Sequence, residues 1–154
     1  NHVLGGSGLV SVLAHEMRER RGLSYSSYSY FIPSAATGPF IMGSQVRADR
    51  AGEAQKVLET LFRDFRDLGP TAEQLEAAQL NITGSFPLSL DSNSSIVGQV
   101  AMIGFYRLPL DYLDTYTKHI EAVNRGGVRS AFQRLNPDHR VVVLVGPEPE
   151  AARE

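Results

Sequence analysis

The chain has 154 residues, of which 42% are hydrophobic and 21% charged, and a formal net charge of −2. That length suits one domain with a core of its own, and a pI near 6.1 leaves no basic footprint for nucleic acid or an anionic membrane surface. There is no cysteine, which excludes disulfides and thiolate metal sites while leaving the compartment open, and no apolar run approaches the ~20 residues a membrane helix needs.

Asn1 to Leu4 open a first helix or its lead-in, which Gly5, Gly6 and Gly8 interrupt. Glycine lets backbone N–H groups come close to an anion, so GGSG resembles a phosphate-cradling loop. No strand precedes it, however, and neither a P-loop lysine nor a GxGxxG pattern follows. Close packing of a helix start is the favoured reading. Leu9, Val12, Leu13 and Met17 recur at three- and four-residue steps, which predicts one apolar helical stripe opposite Glu16, Glu19 and Arg20. Arg18, Arg20 and Arg21 followed by Gly22 are C-terminal signals, because exposed carbonyls favour cations and glycine takes the left-handed cap.

Ser24 to Ile32 is rich in tyrosine and alternates polar with aromatic, a strand pattern. Pro33 to Gly38 reads as a turn and Phe40 to Val46 as a second strand. The short connection predicts an antiparallel hairpin.

Asp49 to Leu68 carries Ala51, Ala54, Leu58, Leu61, Phe65 and Leu68 on one helical stripe, widened by Val57 and Phe62. Arg63, Asp64, Arg66 and Asp67 read as its solvated face. Gly69 and Pro70 stop this helix. Thr71 with Gln74 forms a capping box that opens a helix from Ala72 to about Ser85. Asp91 to Ser94 supply N-terminal caps for another. Its run Ile96 to Tyr106 is apolar and glycine-spaced, which predicts burial on more than one face. Leu108-Pro109-Leu110 breaks it. Helices follow over Asp111 to Val123 and Asn124 to Leu135, with Asn124 as an N-cap. Arg140 to Val145 is continuously apolar and β-branched, the pattern of a central strand buried on both faces. Residues 147–154 form a polar tail after a domain of 1–146. The order of elements predicts an α+β fold, with helices layered on one face of a small, mainly antiparallel sheet.

Chemistry has few places to reside. His2, His15, His119 and His139 are scattered. His15 and Glu19 stand one turn apart, but two ligands do not make a zinc site, so His15 reads as a surface or capping residue. No GxSxG elbow is present. Asp111 and Asp114 share one side of a predicted helix and read as first-turn complements to its dipole.

The stretch NHVLGGSGLVSVLAHEMRERRGLSYSSYSYF resembles the start of the C-terminal half-domain of the pitrilysin/insulinase-type zinc peptidases. That group includes the mitochondrial processing peptidases and their bacterial relatives. The resemblance continues through GPFIMGSQVRAD, the GPT of Gly69 to Thr71, GSFPLSLDSN, FYRLPLDYLDTY and VVVLVGP, and so covers nearly the whole chain. It implies that a strand belongs before the LGG stretch, which this chain lacks at its start, and that the half-domain is N-terminally incomplete, so that an export signal could have been lost with the N-terminus. A periplasmic and a cytoplasmic location both stay open.

The family's zinc signature, H-x-x-E-H, is absent here. The resemblance therefore implies a zinc-free half that binds no cofactor itself. Its zinc-bearing half-domain or subunit would hold the metal and the general base, in a hetero- or homodimeric arrangement acting on a peptide substrate. The chain alone would have no peptidase activity. In the family an arginine and a tyrosine seven residues apart reach from this half to the zinc centre of the other, and Arg18 and Tyr25 match them. A guanidinium offers forked donors to a carbonyl and a phenol offers one more. Arg20 and Arg21 rank below Arg18 for that place. The other reading of the pair is that Arg18 caps its helix and Tyr25 packs in a tyrosine-rich strand. Tyr28 and Tyr30 could line an edge where a peptide adds as an extra strand, or simply stack.

The resemblance implies two further readings. Relatives of the peptidases serve as non-catalytic assembly subunits, and a glycine loop at this place in the processing peptidases is linked to substrate handling, although Gly5-Gly6-Ser7-Gly8 is much shorter.

Overall fold

Ser11 starts the first continuous helix. Its side chain accepts from the Ala14 N–H at 3.2 Å, which satisfies a first-turn donor. Helix α1 (Val12–Ala14) continues without a break into a π-helical segment, His15–Arg20. In the computed structural model, which describes residues 1–147, a π-helical turn (His2–Gly6) and a 3-10 turn (Gly8–Val10) precede it. Leu4, Leu13 and Met17 are fully buried. Leu9 and Val10 are exposed. The predicted stripe thus begins later than its spacing suggests, because Gly8 at φ +62° and the Ser11 cap turn Leu9 out of it.

The helix ends as its sequence predicts. Gly22 takes φ +57°, and the Gly22 and Leu23 N–H groups close back on the carbonyls of Arg18 and Met17 at 3.1 and 2.8 Å. The chain then enters β1 (Ser24–Phe31), which pairs antiparallel with β2 (Phe40–Val46). These two strands are the whole sheet among the described residues. Gly5 marks a close approach to β1. A Cβ there would lie 2.5 Å from the Ser29 backbone nitrogen and 2.7 Å from Leu13 Cδ1. At Gly5 the absence of a side chain therefore serves close packing, whereas Gly8 stands in open space and uses glycine's freedom at positive φ.

A 3-10 turn (Ala48–Arg50) leads into α2 (Ala51–Leu68). Ala54 and Val57 of α2 pack with Met17 and Leu23, and Val46, Leu58 and Leu61 close over them. A second cluster is aromatic. Phe132 stands edge-on to Phe31, Phe40 and Phe65, with ring centres 5.9, 5.7 and 4.9 Å away, and Phe40 stacks on Phe62 at 5.8 Å.

The predicted solvated face of α2 does more than meet water. Arg66 donates to the Leu135 carbonyl at 3.0 Å, and Arg63 pairs with Asp138 at 3.4 Å. Both tie α2 to the chain beyond α6 (Arg125–Gln133). Asn1–Pro70 and residues 129–147 form one compact unit.

Thr71–Val128 form the other. Here α3 (Ala72–Ser85) opens with the complete Thr71–Gln74 capping box, its two hydrogen bonds 2.9 and 3.1 Å long. A 3-10 turn (Phe86–Leu90) follows, then α4 (Asn93–Tyr106), capped by Ser92, and α5 (Tyr112–Glu121). The Gln79 side chain of α3 reaches the carbonyls of Ile120, Glu121 and Val123 at 2.9–3.0 Å, so it binds the end of α5. Phe86 stacks on Tyr116 with ring centres 4.5 Å apart.

The α+β class follows from this order of elements, as predicted. Two expectations are corrected. Of the apolar run in α4 only Ile103 is buried, while Ile96, Val97, Val100 and Phe105 are exposed. Residues 140–145 are not a buried central strand. They have no ladder partner among the described residues, and Val141 and Val145 are 89% and 95% exposed. A β-branched run fits a pleated, half-buried surface only where other strands supply one. The polar tail, from residue 148 on, lies outside the described residues.

Candidate functional site

The left-handed turn at Gly22 brings the end of the π-helical segment against the start of β1, and Arg18 and Tyr25 meet there. The Arg18 guanidinium carbon lies 4.7 Å from the centre of the Tyr25 ring. A cation over an exposed aromatic face is held by the ring quadrupole, worth about 0.5–1 kcal/mol. Tyr25 is 79% exposed, whereas Arg18 is half-buried.

The charges around this pair are sorted. Glu16 accepts from Arg20 Nη1 at 2.6 Å and lies 3.7 Å from Arg21 Nε. Among the described residues no carboxylate pairs with Arg18. Arg20 and Arg21, the competing arginines of the sequence reading, are thus occupied by Glu16.

Tyr25 faces solvent because β1 is irregular at its start. Ser24 pairs with Val46 and Ser26 with Gln45, so two steps along β1 match one along β2, and Tyr25 is the extra residue. Ser24 is 7% exposed. Its hydroxyl accepts from the Ser26 N–H at 3.1 Å and lies 2.8 Å from the Gln45 carbonyl and 2.7 Å from that of Ser26.

The remaining candidates stay apart from this pair. Tyr28 and Tyr30 stack on each other with ring centres 5.8 Å apart. His15 bonds Glu19 through Nδ1 at 2.8 Å on an exposed helical face. That is an i,i+4 contact with no third ligand. Among the described residues no group of three or more His, Asp or Glu side chains could hold a metal ion, so the residues present do not fit a zinc centre. No helix among them is long and apolar enough to cross a membrane.

Sequence reasoning missed Glu16 and Ser24. The four-residue step from Glu16 to Arg20 was a legible signal. Nothing in the sequence marks Ser24, whose role depends on its pairing with β2.

Comparison with known proteins places the chain in a family. Residues 1–82 match the model of the peptidase M16 inactive domain. The chain is 26% identical over 151 residues to the uncharacterized zinc protease YmxG of Bacillus subtilis, covering 96% of this chain and 36% of that protein. It is 30% identical over 147 residues to the uncharacterized zinc protease SCO5738 of Streptomyces coelicolor, covering 96% of this chain and 32% of that one. The crystal structure of a peptidase M16 inactive domain from Pseudomonas fluorescens superposes with a TM-score of 0.83 at 38% identity, over 90% of this chain and 33% of that one. The chain thus spans about a third of each of these relatives. It belongs to the peptidase M16 inactive-domain family.

Proposed function

We propose that this domain lends Arg18 and Tyr25 to peptide-bond cleavage at a zinc centre carried by another half-domain or subunit. The observation that supports this is the pair itself. A guanidinium without a carboxylate partner lies 4.7 Å over an exposed phenol ring. Arg18 and Tyr25 would donate hydrogen bonds to the scissile carbonyl of an extended peptide and hold its oxygen as negative charge develops there. The zinc and the general base belong to the partner half, which supplies the hydrolytic chemistry. This chain binds and orients the carbonyl, and Glu16 keeps the neighbouring arginines away from it. By itself the chain does not cleave peptides.

The test is peptide turnover by the full protein or complex that carries this domain together with its zinc-bearing half. Loss of one preorganised donor costs ~3 kcal/mol of barrier. Arg18→Ala and Tyr25→Phe are each expected to lower kcat on the order of a hundredfold with zinc content unchanged. Unchanged turnover in both variants would remove the reading.

A second reading, an assembly module of the same fold, draws on a different observation. Helix α4 carries no charged residue and exposes Ile96, Val97, Val100 and Phe105. Apolar surface of that kind is typical of protein contacts. On this reading turnover is indifferent to Arg18 and Tyr25, and polar substitutions on α4 disrupt an assembly.

A further inference from the structure

We propose that Ser24 is a positioning residue, whose hydroxyl holds a one-residue bulge that turns Tyr25 out of the sheet and onto Arg18. The inference rests on the reading of Arg18 and Tyr25 given above for its functional consequence, but not for its geometry.

Alternation along β1 shows what the bulge achieves. Side chains two apart share a face of a strand. Counting back from the buried Ser29, positions 27 and 25 would fall on the Ser29 face and position 24 on the face of Tyr28 and Tyr30. The structure has the reverse at the start of β1: Ser24 is buried and Tyr25 is exposed. The register shift between Ser24 and Ser26 accounts for the inversion. Bulges re-aim side chains in this way where a sheet meets a site.

A bulge takes backbone groups out of the ladder, and each must find another partner. Ser24 provides it. The Ser26 N–H donates to its hydroxyl oxygen at 3.1 Å, and the hydroxyl proton is within reach of the Gln45 and Ser26 carbonyls at 2.8 and 2.7 Å. One buried hydroxyl therefore links the backbone groups on both sides of the shift. Without it the segment has reason to return to regular pairing, which would swing Tyr25 toward the Ser27 and Ser29 face and away from Arg18.

The test compares Ser24→Thr with Ser24→Val, which share a shape and a strand preference and differ by the hydroxyl. Ser24→Ala repeats the comparison without added bulk. In the full chain, the Arg18 side-chain methylene protons should show an upfield ring-current shift from Tyr25. The wild type and Ser24→Thr are expected to keep it, and Ser24→Val and Ser24→Ala to lose it while their spectra stay dispersed as for a folded chain. In the zinc-bearing full protein, the same two variants should lower kcat on the order of ten- to a hundredfold, with KM little changed and turnover retained by Ser24→Thr. If Ser24→Val and Ser24→Ala keep the ring-current shift, the positioning role is overturned. If they lose the shift and turnover does not fall, Ser24 does position Tyr25, and the reading of Tyr25 as a carbonyl contact is what fails.

Discussion

Phe132 gives the most quantitative prediction about what holds the site's scaffold. The residue lies on α6 and is 3% exposed. Its ring meets Phe31 of β1, Phe40 of β2 and Phe65 of α2 edge-on. Truncation to alanine removes a buried aromatic side chain and leaves a cavity among three rings that cannot all collapse into it. Such changes cost ~3–5 kcal/mol, and the three edge-to-face pairs place this one near the middle of that range, at about 4 kcal/mol. Leucine fills most of the volume but offers no ring edge, so Phe132→Leu should cost only about 1.5 kcal/mol. Urea denaturation measures both. With a slope of about 2 kcal/mol/M, the alanine variant should unfold at a midpoint about 2 M lower than the wild type, and the leucine variant at about 0.8 M lower. A midpoint for Phe132→Ala within about 0.5 M of the wild type would refute the claim that this ring ties α6 to both strands and α2.

Two other perturbations follow from single contacts. Gly5→Ala places a methyl 2.5 Å from the Ser29 backbone nitrogen, an atom that cannot swing aside. It should lower stability by about 1–3 kcal/mol in thermal or urea melts, whereas a loss under about 0.5 kcal/mol would show that the turn before α1 shifts freely. Glu59 is held below the ordinary carboxylate range by its hydrogen bond from Gln55 and by the charge of Arg140. A carboxylate depressed on folding stabilises the native state above its unfolded pKa and loses that contribution as pH falls through the folded value. Glu59→Gln should therefore be less stable than the wild type at neutral pH, and the difference should shrink in acid. A difference independent of pH, followed by urea midpoints across the carboxylate range, would contradict the assignment.

The sequence made the hairpin legible because tyrosine alternation and a short connection are local signals, and the register runs from Ser24 to Phe31 against Phe40 to Val46. Helix α3 was equally local, since Thr71 and Gln74 carry their own cap. Elements that depend on distant partners are less legible. The charge-free run in α4 and the β-branched run at 141–145 announce apolar surface, but composition cannot say which neighbour covers it, and both are exposed here. Periodicity counts Leu9 and so starts the first helix too early, while Gly8 and Ser11 decide where the helix begins.

The candidate site divides along the same line. Arg18 and Tyr25 were singled out by a family resemblance, not by periodicity. Glu16 lay within reach of a four-residue spacing rule. The bulge that presents Tyr25 is a property of two strands together, and no single segment carries it.

The most direct measurement of the proposed role is kcat for Tyr25→Phe in the zinc-bearing full protein. Phenylalanine keeps the ring beneath Arg18, 4.7 Å from its guanidinium carbon, and removes only the phenolic donor, so the packing of the pair stays while its chemistry changes. A role in holding the scissile carbonyl predicts a fall on the order of a hundredfold with zinc content and melting temperature unchanged. An unaltered kcat would contradict it and leave the pair as a surface contact at the end of a helix.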